Sequence, residues 1–251
     1  MGIVGKIVGG TIGFALGGPL GAIAGAVFGH AFDSSEESGL QGRSGNLSGI
    51  EQTQLAFFVS TFSMLAKLAQ ADGQVRNEEI DTIEAFAVRD LKLSPAEREV
   101  ALNIFRAALS SPARFEDFAL QFYQRFQNNH QMIEMMMDIL VRVSVADGVV
   151  NRAEEALLLH AVRIFQMGEQ RYRQIKSRYT ATENQAYEVL GCRPEDSDEA
   201  IKKRYRTLAQ SYHPDKIAGK GLPDEFIDLA HEKFREIQKA YETVKQERGL
   251  R

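Results

Sequence analysis

An all-α fold is predicted, built from an N-terminal transmembrane helix, a helical bundle and a C-terminal helical hairpin. Three observations predict it. Beyond residue 50 apolar residues recur three and four apart, and no block shows the strict alternation of a half-buried strand. Helix starts are marked as well: Ser94-Pro95-Ala96-Glu97 is a capping box with proline at the first helical position, and Asn151 stands three residues before Glu154. Finally, Ala71-Asp72-Gly73-Gln74-Val75 recurs as Ala146-Asp147-Gly148-Val149-Val150, so two helical halves are related by an internal repeat.

The N-terminal element is read from residues 1–33. From Ile7 to Phe32 no residue is formally charged if His30 is neutral. As a helix this run is about 39 Å long, enough for a hydrocarbon core of about 30 Å. Gly9, Gly13, Gly17, Gly21, Gly25 and Gly29 fall at every fourth position, a GxxxG ladder that lets a second backbone approach closely. In water so many glycines disfavour a helix; in lipid the cost of unsatisfied backbone groups enforces one. A single transmembrane helix that self-associates as a dimer is expected. The other reading of the ladder is flexibility or lipid insertion. A cleavable signal peptide competes too, with Lys6 as its basic end and Ala22-Ile23-Ala24 as its cleavage site, but the apolar run continues through Ala26, Val27 and Phe28. Lys6 precedes the span and Asp33, Glu36 and Glu37 follow it, which by charge alone favours an N-terminus inside.

Residues 34–49 are rich in Ser and Gly and read as a flexible tether. Residues 50–180 read as the bundle. Leu55, Phe58, Val59, Phe62, Leu65, Ala66 and Leu68 form one helical stripe, Phe115, Phe118, Phe122 and Phe126 another, and Met132 to Ala146 a third. A helix opened by Asn151 is expected to end near Met167-Gly168. In the repeat, Glu79 and Glu154 lie seven residues beyond Asp72 and Asp147, which imitates the second half of a calcium loop. The first half is missing, because Leu68, Gln70, Val143 and Val145 stand where oxygen ligands belong. The expectation is no metal and no cofactor, with Asp-Gly closing one helix and the carboxylates favouring the next helix's start. A composite site using Asp72 and Asp147 together is the alternative.

Residues 184–251 read as a hairpin behind a short element, Asn184 to Leu190, capped by Gly191. Ile201, Tyr205, Leu208, Ala209 and Tyr212 form one stripe; Phe226, Leu229, Ala230, Phe234, Ile237, Ala240, Tyr241 and Val244 form the matching one. Between them lies His213-Pro214-Asp215. Pro214 disfavours helical geometry at His213 and removes a donor, so the helix stops and an imidazole and a carboxylate stand at the mouth of a turn. Polar groups displayed on a braced turn suit recognition.

Tyr187-Glu188-Val189-Leu190-Gly191, Ile201-Lys202-Lys203-Arg204-Tyr205-Arg206, His213-Pro214-Asp215-Lys216 and Lys233-Phe234 through Ile237 to Ala240-Tyr241 occur in order and resemble the J domain of DnaJ-type co-chaperones. The resemblance implies docking on ATP-bound Hsp70 of the DnaK type and stimulation of its ATPase. His213, Pro214 and Asp215 would be the essential contact. Lys202, Lys203, Arg206 and Lys216, together with Arg204, would be the basic grip. The repeat-containing middle is similar to the TerB-like (tellurite-resistance type) helical domain. The order of Gly-rich anchor, tether, TerB-like bundle and J domain resembles the DjlA-type membrane-anchored co-chaperones of Gram-negative bacteria. That resemblance implies a bacterial inner-membrane protein whose bulk faces the cytoplasm, where Hsp70 and ATP are; here it overrides the charge rule.

Net charge −4 and the small size of the basic cluster argue against nucleic acid as a partner. No nucleophile–base pair or phosphate loop is evident, so an enzyme is not expected. The single cysteine, Cys192, forms no intrachain disulfide and suits a reducing compartment. Cys-rich zinc modules and a Gly/Phe-rich stretch are lacking, so clients or signalling proteins would be chosen by the other domains. The alternative function is a membrane-bound sensor or scaffold whose bundle binds a ligand or metal, with the J domain as a docking surface.

Overall fold

The computed structural model describes residues 16–36, 47–146, 148, 150–179, 184–213, 216 and 221–249, with the side chains of 29–36 outside that description. Gly9, Gly13, Asp147, Pro214 and Asp215 therefore lie outside the described residues, as does the environment of Gly29. Among those described there is no strand. The chain runs through α1 (Gly18–Glu36), α2 (Gly49–Ala69), α3 (Asn77–Ala85, prolonged by a wider π turn Phe86–Asp90), α4 (Pro95–Ser110), α5 (Phe115–Phe126), α6 (His130–Ser144), α7 (Arg152–Ile164) and α8 (Glu169–Ser177). A second lobe follows: α9 (Gln185–Leu190), α10 (Asp198–Ser211), a 3₁₀ turn (Asp224–Phe226) and α11 (Ile227–Arg248).

Helix starts are where the sequence marks them. Ser94 Oγ accepts from Glu97 N at 3.4 Å while Glu97 Oε2 accepts from Ser94 N at 2.9 Å, closing the capping box. The two repeats are built alike. Gly73 and Gly148 take φ of +89° and +101°, and the following helices open with Arg76 N donating to Glu79 Oε2 at 2.8 Å and Asn151 N to Glu154 Oε2 at 3.0 Å. Asp72 is occupied locally, accepting from Gln74 N and from Arg76 Nη2, both at 3.1 Å.

Helix α2 is the axis of the bundle. The single stripe expected for it understates its burial: Ala56, Phe57 and Met64, on other sides, are as buried as Phe58 and Phe62. Helices α1, α4, α5, α6 and α7 pack against it, so it has no solvent face in its middle. Ser60 and Thr61 are buried with it and donate back to Ala56 O and Phe57 O at 2.6 and 2.9 Å.

At the N-terminus the structure departs from an unbroken helix through the glycine ladder. Gly17 and Gly18 take φ of +58° and +51°. Pro19 disfavours helical geometry at the residue before it and suits a first helical turn, so α1 starts at Gly18. The break is capped from the bundle: Gln121 Nε2 donates to Leu16 O and Gly17 O at 2.9 and 2.8 Å, and Gln121 Oε1 accepts from Leu20 N at 2.9 Å. Below it Leu20, Ile23, Ala24 and Phe28 are buried against α2, α4 and α5, with Gly21 on the same side. The segment expected as a tether is helical to Glu36, and α2 is already capped at Ser48.

Two further differences concern the second half. The helix opened by Asn151 ends at Ile164, before Gln166 takes φ +50°, and α8 is a separate helix. Phe226, in the 3₁₀ turn ahead of α11, reaches beyond the hairpin: its ring is fully buried, 5.0 Å from Phe57 and 6.2 Å from Phe58 of α2. Nearby Gln54 Nε2 donates to Leu222 O at 3.2 Å, and Gln174 Nε2 of α8 to Val189 O at 2.7 Å. The two lobes share one core.

Candidate functional site

The second lobe is a braced hairpin. Gly191 caps α9 at φ +67°, with Cys192 N donating back to Tyr187 O at 2.9 Å; a Cβ at Gly191 would stand 2.8 Å from Gln174 Nε2. Tyr205 and Tyr241 stack at 3.9 Å between α10 and α11, and Ile201, Leu208, Ile237, Ala240 and Val244 are buried. At the far end Arg248 donates to Tyr187 Oη at 3.2 Å and to Asp198 Oδ1 at 2.8 Å.

Helix α10 ends at Ser211, as the proline requires, and Tyr212 is its C-cap, with its N–H on Leu208 O at 2.9 Å. His213 is exposed, its ring edge-on to Phe234 at 5.8 Å, and Lys216 N donates to His213 O at 3.0 Å. On α10, Lys203, Arg204 and Arg206 are exposed and Lys202 is half-buried; Lys216 is exposed beyond the turn. The basic face is thus carried by the helix whose end presents His213.

Sequence reasoning missed what lies beneath. Tyr212 is 1 % exposed. Its hydroxyl is bonded to Glu134 of α6 and accepts from Arg171 Nη2 of α8 at 2.9 Å, while Arg171 forks onto Glu134 at 2.6 and 2.5 Å. Gln131 Nε2, one turn earlier on α6, donates to Ser211 O at 2.9 Å. Above the Tyr212 ring, 4.6 Å from its centre, sits Lys233 Nζ.

Lys233 is 4 % exposed and lies 3.6 Å from Asp138 Oδ1, which also accepts from Arg178 Nη1 at 2.7 Å. Burial pushes the Lys233 ammonium down to about 8, with Asp138 opposing the fall. Burial alone would raise the Asp138 carboxyl, but Arg178 and Lys233 outweigh it and hold Asp138 below the usual carboxylate range. Arg178 also binds Glu236, and Arg142 binds Asp90 and, at 2.9 Å, Glu232. These pairs join the bundle to α11 around an interlobe cavity of about 700 Å³, lined among others by Asp81, Arg89, Arg142, Tyr179 and Lys233. Its lining carries both signs, with Asp81, Asp90, Asp138, Glu232 and Glu236 beside Arg89, Arg142, Arg178 and Lys233. The legible signal was Asp138, an acid inside the apolar run Met132 to Ala146, where a charge must be paired.

Comparison with known proteins finds three matching family models. The family model for the tellurite resistance protein TerB matches residues 58–177, the DnaJ domain matches 185–249, and the co-chaperone DjlA transmembrane domain matches 1–46. Co-chaperone protein DjlA of Shewanella oneidensis is 30 % identical over 227 residues, covering 85 % of this chain and 84 % of that protein. DjlA of Escherichia coli K12 is 30 % identical over 224 residues, covering 80 % and 82 %. The chain belongs to the DjlA co-chaperone family. DjlA of Vibrio cholerae is similar to the same degree, 31 % over 232 residues. No solved structure matches the chain. The matched DjlA transmembrane domain includes α1 and the break before it; among the described residues no helix is long and apolar enough to cross a membrane. In this DjlA-family chain the His213 turn falls inside the DnaJ match, and Gln131, Glu134 and Arg171 fall inside the TerB match.

Proposed function

We propose that the chain stimulates the ATPase of a cytoplasmic DnaK-type Hsp70 and recruits it to membrane-proximal clients or signalling proteins, with no chemistry of its own. His213, Pro214 and Asp215 make the activating contact; Lys202, Lys203, Arg206 and Lys216 supply the electrostatic grip. The observation that carries this reading is the exposed His213 at the end of a helix whose basic face is also exposed. Steering by such a face is fast and screened by salt. The anchor is a single pass in a bacterial inner membrane with the bulk cytoplasmic, and self-association uses the ladder Gly9, Gly13, Gly17, Gly21, Gly25 and Gly29. The division of labour is anchor 1–33, tether 34–49, bundle 50–180 and J domain 184–251.

The test is single-turnover ATP hydrolysis by a bacterial Hsp70 with the full chain in liposomes. Stimulation by the wild type and its loss in His213→Gln, with the fold intact by circular dichroism, is the expected result. Replacing Lys202, Lys203 and Arg206 by Ala should raise the concentration needed for half-maximal stimulation, most at low salt. A folded chain that gives no stimulation rejects the reading and leaves the sensor or scaffold, for which Asp72→Ala or Asp147→Ala would do the damage.

A further inference from the structure

The residue just before the turn is held by another domain. The partners lie in the bundle: Glu134 and Arg171 hold the Tyr212 hydroxyl, and Gln131 holds the carbonyl of Ser211. Three side chains from α6 and α8 thereby fix two consecutive residues at the end of α10. All three are part-buried contacts, across sequence separations of 78 and 41 residues for Tyr212 and 80 for Ser211, so they belong to tertiary assembly rather than to the hairpin. Lys233 closes over the ring from the other side.

The next residue in the chain is His213, which faces solvent, as do Lys203, Arg204 and Arg206. The hold therefore leaves the partner-facing side of α10 uncovered. It restricts the backbone where the turn departs and does not compete for the surface the turn presents. A group held in its acting geometry works as soon as the partner has docked, and displacing it lowers the rate of the docked state rather than the docking; a buried charge-assisted network of this kind is rigid only when all its members are present.

We propose that Glu134, Arg171 and Gln131 of the bundle are positioning residues for the His213 turn, acting through Tyr212 and Ser211, so that the TerB-like domain sets the efficacy of the J domain on Hsp70. The inference rests on the co-chaperone reading above. It gives the bundle a role in the reaction without any contact with Hsp70.

The experiment is the same single-turnover assay with the full chain in liposomes, read as maximal stimulation and half-saturating concentration separately. Tyr212→Phe keeps the ring under Lys233 and removes only the hydroxyl; Glu134→Gln removes the charge that receives it. Each is expected to lower maximal stimulation roughly three- to tenfold, as small displacements of an acting group do. Half-saturation should stay unchanged, because the basic face is intact. The double variant should be no worse than either single one, the mark of one shared network. Gln131→Ala gives an independent loss should Glu134→Gln misfold. Wild-type stimulation with all three variants at the wild-type maximum overturns the proposal, as do losses that simply add in the double variant. Failure of the wild type itself is the separate outcome that removes the co-chaperone reading and this inference together.

Discussion

Lys233 is a buried lysine. It sits on the buried stripe of α11, in the i, i+4 row with Ile237, among Asp138, Glu134, Arg171, Arg178 and the Tyr212 ring. Its ammonium titrates at about 8 in the fold against an ordinary 10.5. Between those values the unfolded chain holds a proton that the folded chain has released, so this residue makes stability rise with pH across that window. Lys233→Met is expected to remove the rise and to be at least as stable as the wild type at pH 7, since Asp138 keeps Arg178. Urea midpoints of both proteins from pH 7.5 to 10.5 check it; a difference between them that does not change with pH sinks the assignment. The lysine was visible in the J-like block of the sequence, but its burial was not, because the groups that bury it lie in another part of the chain.

Among the elements, the legible ones are those whose cause is local. The turn at His213, the caps at Ser94 and Asn151 and the left-handed Gly191 are each dictated within a few residues, and each was expected. An amphipathic stripe reveals which face is buried but not against what. Phe226 looks like hairpin core by spacing and reaches the bundle core as well; Tyr212 looks like an ordinary aromatic and is a tethered one. Helix α1 is the sharpest case. Its apolar side suits lipid, a second copy or the bundle equally, and Gly17-Gly18-Pro19 marks only where the helix must restart. The Gln121 amide then selects the bundle contact by satisfying three backbone groups at once. Gln121→Ala should release the start of α1, speeding amide exchange at Leu20 by about tenfold, the equivalent of one hydrogen bond. Hydrogen exchange on the full chain without lipid reads it, and an unchanged Leu20 amide there rejects the cap; in liposomes, where the proposed anchor spans the bilayer, variant and wild type should exchange alike.

At the scale of the whole molecule the two lobes share one core, and their unfolding together is expected to depend on the contacts of Phe226 with Phe57 and Phe58. Truncating such a fully buried ring costs about 3–5 kcal/mol. Phe226→Ala is expected to lower the thermal midpoint and to split one calorimetric transition into two, the hairpin melting apart from the bundle. A single sharp transition in that variant would mean that the ion pairs Lys92–Asp228, Arg142–Glu232 and Arg178–Glu236 hold the lobes without it. An exposed pair such as Lys92–Asp228 contributes little on its own, and the pair of the buried Arg178 is offset by desolvation, so the aromatic contact is expected to dominate.

The seat of Phe226 also bears on how such a chain can be rearranged. A hairpin that finishes its neighbour's interior is not an interchangeable cassette. Grafting a J domain from another protein onto this bundle would leave an aromatic socket open beside Phe57, and excising this one would carry an unhoused phenyl ring into water. Successful chimeras should therefore be those that transplant Leu222 and Phe226 with their matching α2 surface, and sequence change at either side should be answered at the other.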